Sequence, residues 1–459
     1  MKDTIYHFTY GNQKYFYDPG SGGVYFDNPL LQDILALAAL APSLDDAQIT
    51  RELSLSRNYP TEKITSLLTY LQEHNILPLQ NRPKDMGDKG LNEMYLQVSH
   101  QCNLDCTYCY AQGGNFGGPD RMMKETTARQ AVDFFLKESG SHKTLILNFD
   151  GGEPFLNFPV VQATVAYARE KAQSLGKKIR PNISTNGTLL TVQNVDYLRQ
   201  NHFGIGISID GERDAHDSTR KFKNGRGTYD NLTGRLRDTQ LFNSRPTANA
   251  RATITKKNLH CHRIVTHLYE MGFRHIYLEP AAGKNTTWAV DHNDLAIIKE
   301  EFAKITEFYK EELLKGNYFI LRNFFQILER IHRRNQSGYR CTAGRQTTAV
   351  SPGGDLYPCY KFVGIKNYIM GNVAAGEYDK NTGNQFRQNH ISIKTDCKNC
   401  WARYLCGGGC PYLSEISHGN MTIKDDLDCE FTQHMAKLSL EIYVHINREN
   451  KKIWDTLLG

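Results

Sequence analysis

The 459-residue chain is expected to fold as an α/β protein: a partial (β/α)6 TIM-like barrel, with a winged-helix-like unit before it and a cysteine-rich unit after it. Three observations predict this. Short apolar runs alternate six times with amphipathic helical stretches between residue 94 and about residue 315, the pattern of consecutive βα units around a parallel sheet. Three Tyr- and Phe-rich runs followed by three helical stretches precede that pattern. Seven of the eleven cysteines crowd into residues 341–429, among glycine and tyrosine rather than periodic apolar positions. A chain of this length exceeds one hydrophobic core, so the expected division is 1–88, a barrel over 89–315, a bridge over 316–338 and a last unit over 339–459.

Composition excludes several classes of function. At 40% hydrophobic and 23% charged residues the chain is ordinary globular protein, without disordered or low-complexity stretches. The N-terminus has no apolar signal region, and no run reaches the roughly eighteen apolar residues of a membrane span. A soluble, cytoplasmic protein with no membrane partner is expected. A net charge of +6 is too dilute over this length to indicate nucleic acid. Eleven cysteines in a reducing compartment point to metal rather than disulfides, because thiolates ligate soft metals.

In the first unit, strands are expected over residues 4–10, 14–17 and 24–26, separated by Gly11-Asn12 and Pro19-Gly20 turns. Asp27 is placed to cap a helix that starts at Pro29 and runs through Leu40. A short helix follows Ser43, and a third begins at Thr61, with Ile64, Leu67, Leu68 and Leu71 forming one buried stripe. Residues 80–90, with their Pro, Lys and Asp residues, read as a linker. Barrel strands are expected over 94–99, 144–149, 179–185, 204–209, 247–254 and 275–279, and a closing helix over 431–447. Polar residues follow these strands directly, where barrel enzymes build their sites.

Cys102, Cys106 and Cys109 stand in the first βα loop with the spacing C-x3-C-x2-C. Three thiolates on one short loop can hold three irons of a cubane and leave the fourth without a protein ligand; a zinc site or chance spacing is the alternative. After the second strand comes Gly151-Gly152-Glu153-Pro154, either a turn or a place where glycine lets backbone approach a ligand. Ser184, Asn186, Ser208 and Asp210 stand at the ends of the third and fourth strands, where such residues also cap and turn the chain. Arg251 lies on the fifth strand, and His216 and Arg220 read as structural. Near the C-terminus the pattern is C-x12-G-x4-C over Cys341, Gly354 and Cys359, then C-x2-C-x5-C-x3-C over Cys397, Cys400, Cys406 and Cys410, then Cys429. Paired structural zinc sites are the rival reading. Cys261, in a barrel helix, reads as a buried inert thiol.

These motifs together resemble the radical S-adenosylmethionine superfamily, and the C-terminal pattern resembles its SPASM extension. The resemblance implies that Cys102, Cys106 and Cys109 hold a 4Fe-4S cluster that cleaves S-adenosylmethionine reductively to a 5′-deoxyadenosyl radical. It places Tyr108 by the adenine, the Gly151-Gly152-Glu153-Pro154 segment at the methionine amino group, and Ser184, Asn186, Ser208 and Asp210 near the methionine carboxylate and ribose. Arg251 could pair with that carboxylate. It further implies two auxiliary 4Fe-4S clusters: Cys397, Cys400, Cys406 and Cys429 on one, and Cys341, Cys359 and Cys410 on the other. One auxiliary iron is then open to a substrate thiolate, or to a histidine, carboxylate or water.

The first unit resembles the leader-recognition element of enzymes that modify ribosomally made peptides, which bind an extended peptide at a strand edge; a DNA-binding winged helix or a structural cap is the alternative. The expectation is therefore a peptide maturase of the sactipeptide and ranthipeptide type. It would form thioethers between cysteine sulfur and a carbon in a precursor bound through its leader, with a flavodoxin- or ferredoxin-type reductant. A carbon–carbon crosslinking cyclase and an anaerobic sulfatase-maturating, formylglycine-forming enzyme are the alternatives within the superfamily. A metal-stabilised binding protein is the alternative outside it.

Overall fold

The computed structural model describes residues 5–73, 76–77, 89–242, 248–283 and 286–459. Residues 80–88 of the expected linker, and Thr4 and Thr247 at expected strand starts, lie outside these. The first unit is an antiparallel meander of β1 (Tyr6–Tyr10), β2 (Gln13–Asp18) and β3 (Gly23–Phe26), followed by α1 (Pro29–Leu40), α2 (Asp46–Arg57) and α3 (Thr61–Glu73). Alternation along β2 sends Phe16 and Tyr17 to opposite faces. Phe16 joins a small core with Ile34, Leu35, Ile49, Ile64 and Leu68. Tyr17 enters the main core, on the side where the Tyr6 ring stacks on Trp401 at 4.0 Å.

Asn28, not Asp27, caps the first helix: its Oδ1 accepts the Leu31 N–H at 3.2 Å. With proline in the first helical position, the cap is the residue directly before it. Asp27 instead accepts from Gln32 Nε2 at 2.6 Å.

Six parallel strands then lie side by side in chain order: β4 (Glu93–Ser99), β5 (Thr144–Gly151), β6 (Lys178–Thr185), β7 (Gly204–Ser208), β8 (Ala248–Ile254) and β9 (His275–Pro280). Between and after them come α4 (Glu125–Glu138), α5 (Phe158–Ser174), α6 (Val192–Gln200), α7 (Arg213–Asp217), α8 (Tyr229–Asp238) and α9 (Cys261–Glu270). Parallel neighbours need a crossover between each pair, so all six C-terminal strand ends open toward one end of the sheet. The strands carry the middle of the core with Leu96, Leu147, Ile183, Ile205, Ala250 and Leu278.

The sheet is wider than the sequence predicts. After α10 (His292–Leu314), β10 (Ile320–Leu321) adds parallel to β9 and leads into α11 (Arg322–His332). At the opposite edge, β11 (Thr347–Val350) pairs parallel with β4, and β12 (Leu356–Tyr357) returns antiparallel. A two-residue strand and a four-residue strand buried on every side chain show no alternation, so neither carries a periodic signal.

The cysteine-rich region is thus joined to the barrel through its sheet. It also has apolar packing of its own, which the sequence reading does not anticipate: Ala349, Tyr357, Phe362, Tyr368 and Phe386 pack with Ala111 and Phe116 of the first βα loop. Its helices are α12 (Lys380–Arg387), α13 (Arg403–Cys406), α14 (Pro411–His418) and the closing α15 (Asp426–Asn450). Helix α15 buries Met435, Leu438, Leu440, Ile442 and Val444, and the Phe431 ring meets Phe302 of α10 edge-on at 5.5 Å. Among the described residues no helix is long and apolar enough to cross a membrane.

Candidate active site at the barrel mouth

The loop after β4 carries Cys102, Cys106 and Cys109, and the segments after β5 and β7 hold it. Gly152 N donates to Ser99 O (2.7 Å) and Glu153 N to Gln101 O (2.9 Å), pinning the Gly151-Gly152-Glu153-Pro154 turn to the cysteine loop. The approach is close enough that a Cβ on Gly152 would stand 2.2 Å from Gln101 O, and Gly151 adopts φ +132°, so both positions require glycine. On the other side, Asp105 N donates to Lys221 O (2.8 Å) and Thr107 N to Thr219 O (3.0 Å).

Three N–H groups face the sulfurs of this loop. Leu104 N (3.4 Å) and Asn186 Nδ2 (3.8 Å) donate to Cys102 Sγ, and Arg220 Nη1 donates to Cys106 Sγ at 3.9 Å. Burial pushes the Cys102 thiol up to about 11 and the Cys106 thiol up to about 12. Thiols so buried become thiolates only when a metal takes the proton's place, and N–H donors around them suit bound sulfur. The donor set therefore fits an iron–sulfur cluster.

Glu153 is fully buried. Its carboxylate accepts from Thr185 Oγ1 (2.7 Å), Asn186 N (2.8 Å) and Phe155 N (3.1 Å), tying the turn to the end of β6, while burial raises its pKa to about 7. Pro154 is buried behind it and starts a short helical turn. Asp210 is fully buried after β7, where it gathers the Tyr108 O–H (2.6 Å), Arg220 Nε (3.0 Å) and Thr253 N (2.9 Å). Burial works against the Arg220 charge, but Asp210 outweighs it and keeps the guanidinium protonated. Arg220 therefore belongs to the site, though the sequence offers only an arginine ten residues beyond a strand-end aspartate.

His216 supports this group from behind. Its Nδ1 accepts the Asp210 N–H (3.2 Å), while its Nε2 lies 2.9 Å from Thr228 Oγ1, whose own proton goes to Arg220 O. Nε2 is therefore the protonated nitrogen and the ring is neutral, in keeping with burial lowering its pKa to about 4. The folded value lies below the unfolded one, so the stability His216 contributes is present above pH 6.5 and is lost as pH falls toward 4. The stability advantage of the wild type over His216→Asn should shrink by about 2 kcal/mol between pH 7 and pH 5, measured by denaturant unfolding at each pH. A constant difference would contradict the neutral assignment.

Ser184 and Arg251 flank Gly206 from the neighbouring strands: a Cβ on that glycine would stand 3.6 Å from both Ser184 Oγ and Arg251 Cδ. Ser208 is the register partner of Arg251. Around Arg251 the structure assembles residues that sequence reasoning did not select. Asp150 and Glu279 are the next-to-last residues of β5 and β9, and Lys361 pairs with Glu279. Burial opposes the Arg251 charge, which Tyr360, Glu279 and Asp150 sustain. Tyr360 packs on Tyr95 at 4.7 Å and meets Tyr110 at 6.3 Å. An acidic residue directly after one expected strand, Asp150, and at the end of another, Glu279, was the available signal; Tyr360 and Lys361 had none, since they come from the far end of the chain.

The C-terminal cysteines sit in two neighbourhoods. Cys341 and Cys410 are the cysteines whose charges act on Cys359. Cys341 precedes β11, Cys359 follows β12 after Pro358, and Cys410 stands at the N-cap position of α14. Burial pushes Cys410 up to about 11. Cys429 answers instead to Cys406, Cys400 and Cys397, and Gln433 Nε2 reaches both Cys400 and Cys429 sulfurs at 3.6 Å. Cys261 is fully buried in α9, away from both sets. Among the described residues no three His, Cys, Asp or Glu side chains converge as ligands of a single metal ion.

Residues 96–238 match the family model described as the radical SAM superfamily. The chain is similar to a cysteine-type anaerobic sulfatase-maturating enzyme of Clostridium perfringens, 26% identical over 336 residues that cover 68% of this chain and 86% of the relative. In fold it resembles native anSMEcpe with bound AdoMet, at a TM-score of 0.66 and 22% identity, over 78% of this chain and 99% of that one. It also resembles Streptococcus suis SuiB bound to precursor peptide SuiA, at a TM-score of 0.53 and 15% identity, over 93% of this chain and 100% of that one. That last likeness extends into the first 88 residues.

Proposed function

Since residues 96–238 are a radical SAM domain, we propose that the chain is a radical S-adenosylmethionine enzyme that matures a ribosomally made precursor peptide by joining a cysteine sulfur to a carbon of another residue. The observation that carries this reading is the pairing of two cysteine sets. The loop of Cys102, Cys106 and Cys109 is clamped to a glycine turn at the barrel mouth, and the set of Cys341, Cys359 and Cys410 comes in beside it through the contact of Tyr110 with Tyr360.

Cys102, Cys106 and Cys109 would hold a 4Fe-4S cluster with S-adenosylmethionine on its open iron, which when bound supplies a 5′-deoxyadenosyl radical for hydrogen abstraction. The chain's own residues position that chemistry. Gly151 and Gly152 bring backbone close to the ligand, Tyr108 is fixed by Asp210, and Ser184, Asn186, Ser208 and Arg251 offer polar groups around it, the guanidinium suiting a carboxylate. The rings of Tyr95, Tyr110 and Tyr360 pack against one another at the mouth. Cys397, Cys400, Cys406 and Cys429 would hold one auxiliary cluster. Cys341, Cys359 and Cys410 would hold the other, which with three cysteines could also take a substrate thiolate.

β3 is an edge strand, and an extended leader peptide adding to it would use its unpaired backbone groups. A flavodoxin- or ferredoxin-type protein supplies electrons one at a time. The similarity to a sulfatase-maturating enzyme favours a second reading, oxidation of a cysteine or serine to formylglycine.

The test is mass spectrometry of any short cysteine-containing peptide found encoded beside the enzyme, after reaction with the reduced, cluster-loaded protein and S-adenosylmethionine. Each thioether removes a pair of hydrogens and closes one cysteine to alkylation. A product that loses hydrogens but keeps alkylatable cysteines overturns the thioether, and formylglycine in a sulfatase peptide supports the second reading.

A further inference from the structure

Two backbone hydrogen bonds place Arg220 opposite Cys106. Asp105 and Thr107, on either side of the cysteine, donate to Lys221 and Thr219, on either side of the arginine, and Leu104 bridges Phe222 in the same antiparallel sense. Residues opposite each other in such a ladder project side by side. The guanidinium is held on each face: Nε on Asp210 at 3.0 Å, Cζ over the Tyr108 ring at 5.4 Å, and Nη1 toward Cys106 Sγ at 3.9 Å. Its side chain is 10% exposed. A buried cation with one carboxylate partner among the described residues, aimed also at a sulfur, is more than a structural ion pair requires.

We infer that Arg220 is a positioning residue that sets the reduction potential of the cluster on Cys102, Cys106 and Cys109. This rests on the cluster reading proposed above. Reduction adds one electron to a cluster already surrounded by thiolates. A fixed cation and an N–H···S bond stabilise the more negative state preferentially, and in a water-poor setting the preference is large. Asp210 holds the cation in place, and Tyr108 reports its position from within the cysteine motif.

The test is an EPR-monitored redox titration of the full chain with all clusters assembled, following the signal that changes on adding S-adenosylmethionine. Arg220→Gln should make reduction of that cluster about tenfold less favourable, a fall of about 59 mV for one electron, and leave the other clusters unmoved. An unmoved potential in an assembled Arg220→Gln protein overturns the inference. Should that variant fail to assemble, the wild type grown on guanidino-15N arginine decides. A 15N hyperfine coupling on the responsive signal is expected, and its absence overturns the proposal. A wild type with no signal that answers S-adenosylmethionine sinks the cluster reading itself, a separate outcome.

Discussion

Cys106→Ala is expected to abolish formation of 5′-deoxyadenosine by the reduced protein, by at least about a thousandfold, which corresponds to about 4 kcal/mol or more of activation free energy. Three protein ligands hold one cubane, so losing one leaves two irons without cysteine and the cluster does not persist. Iron content should fall by roughly four atoms per chain. The same substitution leaves Arg220 Nη1 facing a methyl group rather than sulfur, without touching its bond to Asp210, so the fold should survive. Cys261→Ala is the control. That thiol is buried in α9 among apolar neighbours, and its loss should leave iron content and cleavage intact. A Cys106→Ala protein that still cleaves S-adenosylmethionine at the wild-type rate would contradict the assignment of this loop.

The second large effect is on stability. Asp210→Ala removes the only carboxylate that, among the described residues, pairs with the Arg220 guanidinium, and leaves the Tyr108 hydroxyl and the Thr253 N–H without their acceptor. Breaking a buried pair from one side strands a charge and costs about 3–5 kcal/mol. Combining Asp210→Ala with Arg220→Met removes both charges together and should recover much of that loss, because a buried pair replaced by apolar groups is often close to neutral. The double-mutant cycle, read by urea unfolding, measures the coupling directly. Additive single effects would mean that the pair contributes nothing beyond its separate parts.

Much of this molecule is legible in the order of its residues. The six barrel strands fall within a few residues of their expected places, because each is a short apolar run bounded by turns and followed by an amphipathic helix. The cysteine loop and the glycine turn could be singled out because chemistry demands those residue types at those spacings: three thiolates for three irons, and glycine where backbone meets backbone at van der Waals distance. Asp27 was misjudged as a cap because position relative to Pro29, not residue type alone, decides capping.

What the sequence could not show was any relation between distant segments. Nothing in residues 347–350 announces that they pair with β4, and nothing local marks Arg220 as the neighbour of Cys106 across 114 residues. Likewise Lys361 meets Glu279, and Tyr360 meets Tyr110, only because the cysteine-rich region folds back over the barrel mouth. The sequence by itself determined the βα repeat, the cysteine count and the residue chemistry, since these depend on local periodicity and on donor atoms. The tertiary structure alone decided which charges are buried together and what faces each sulfur. Burial and dielectric belong to the packed whole, and they convert a list of polar residues into a site.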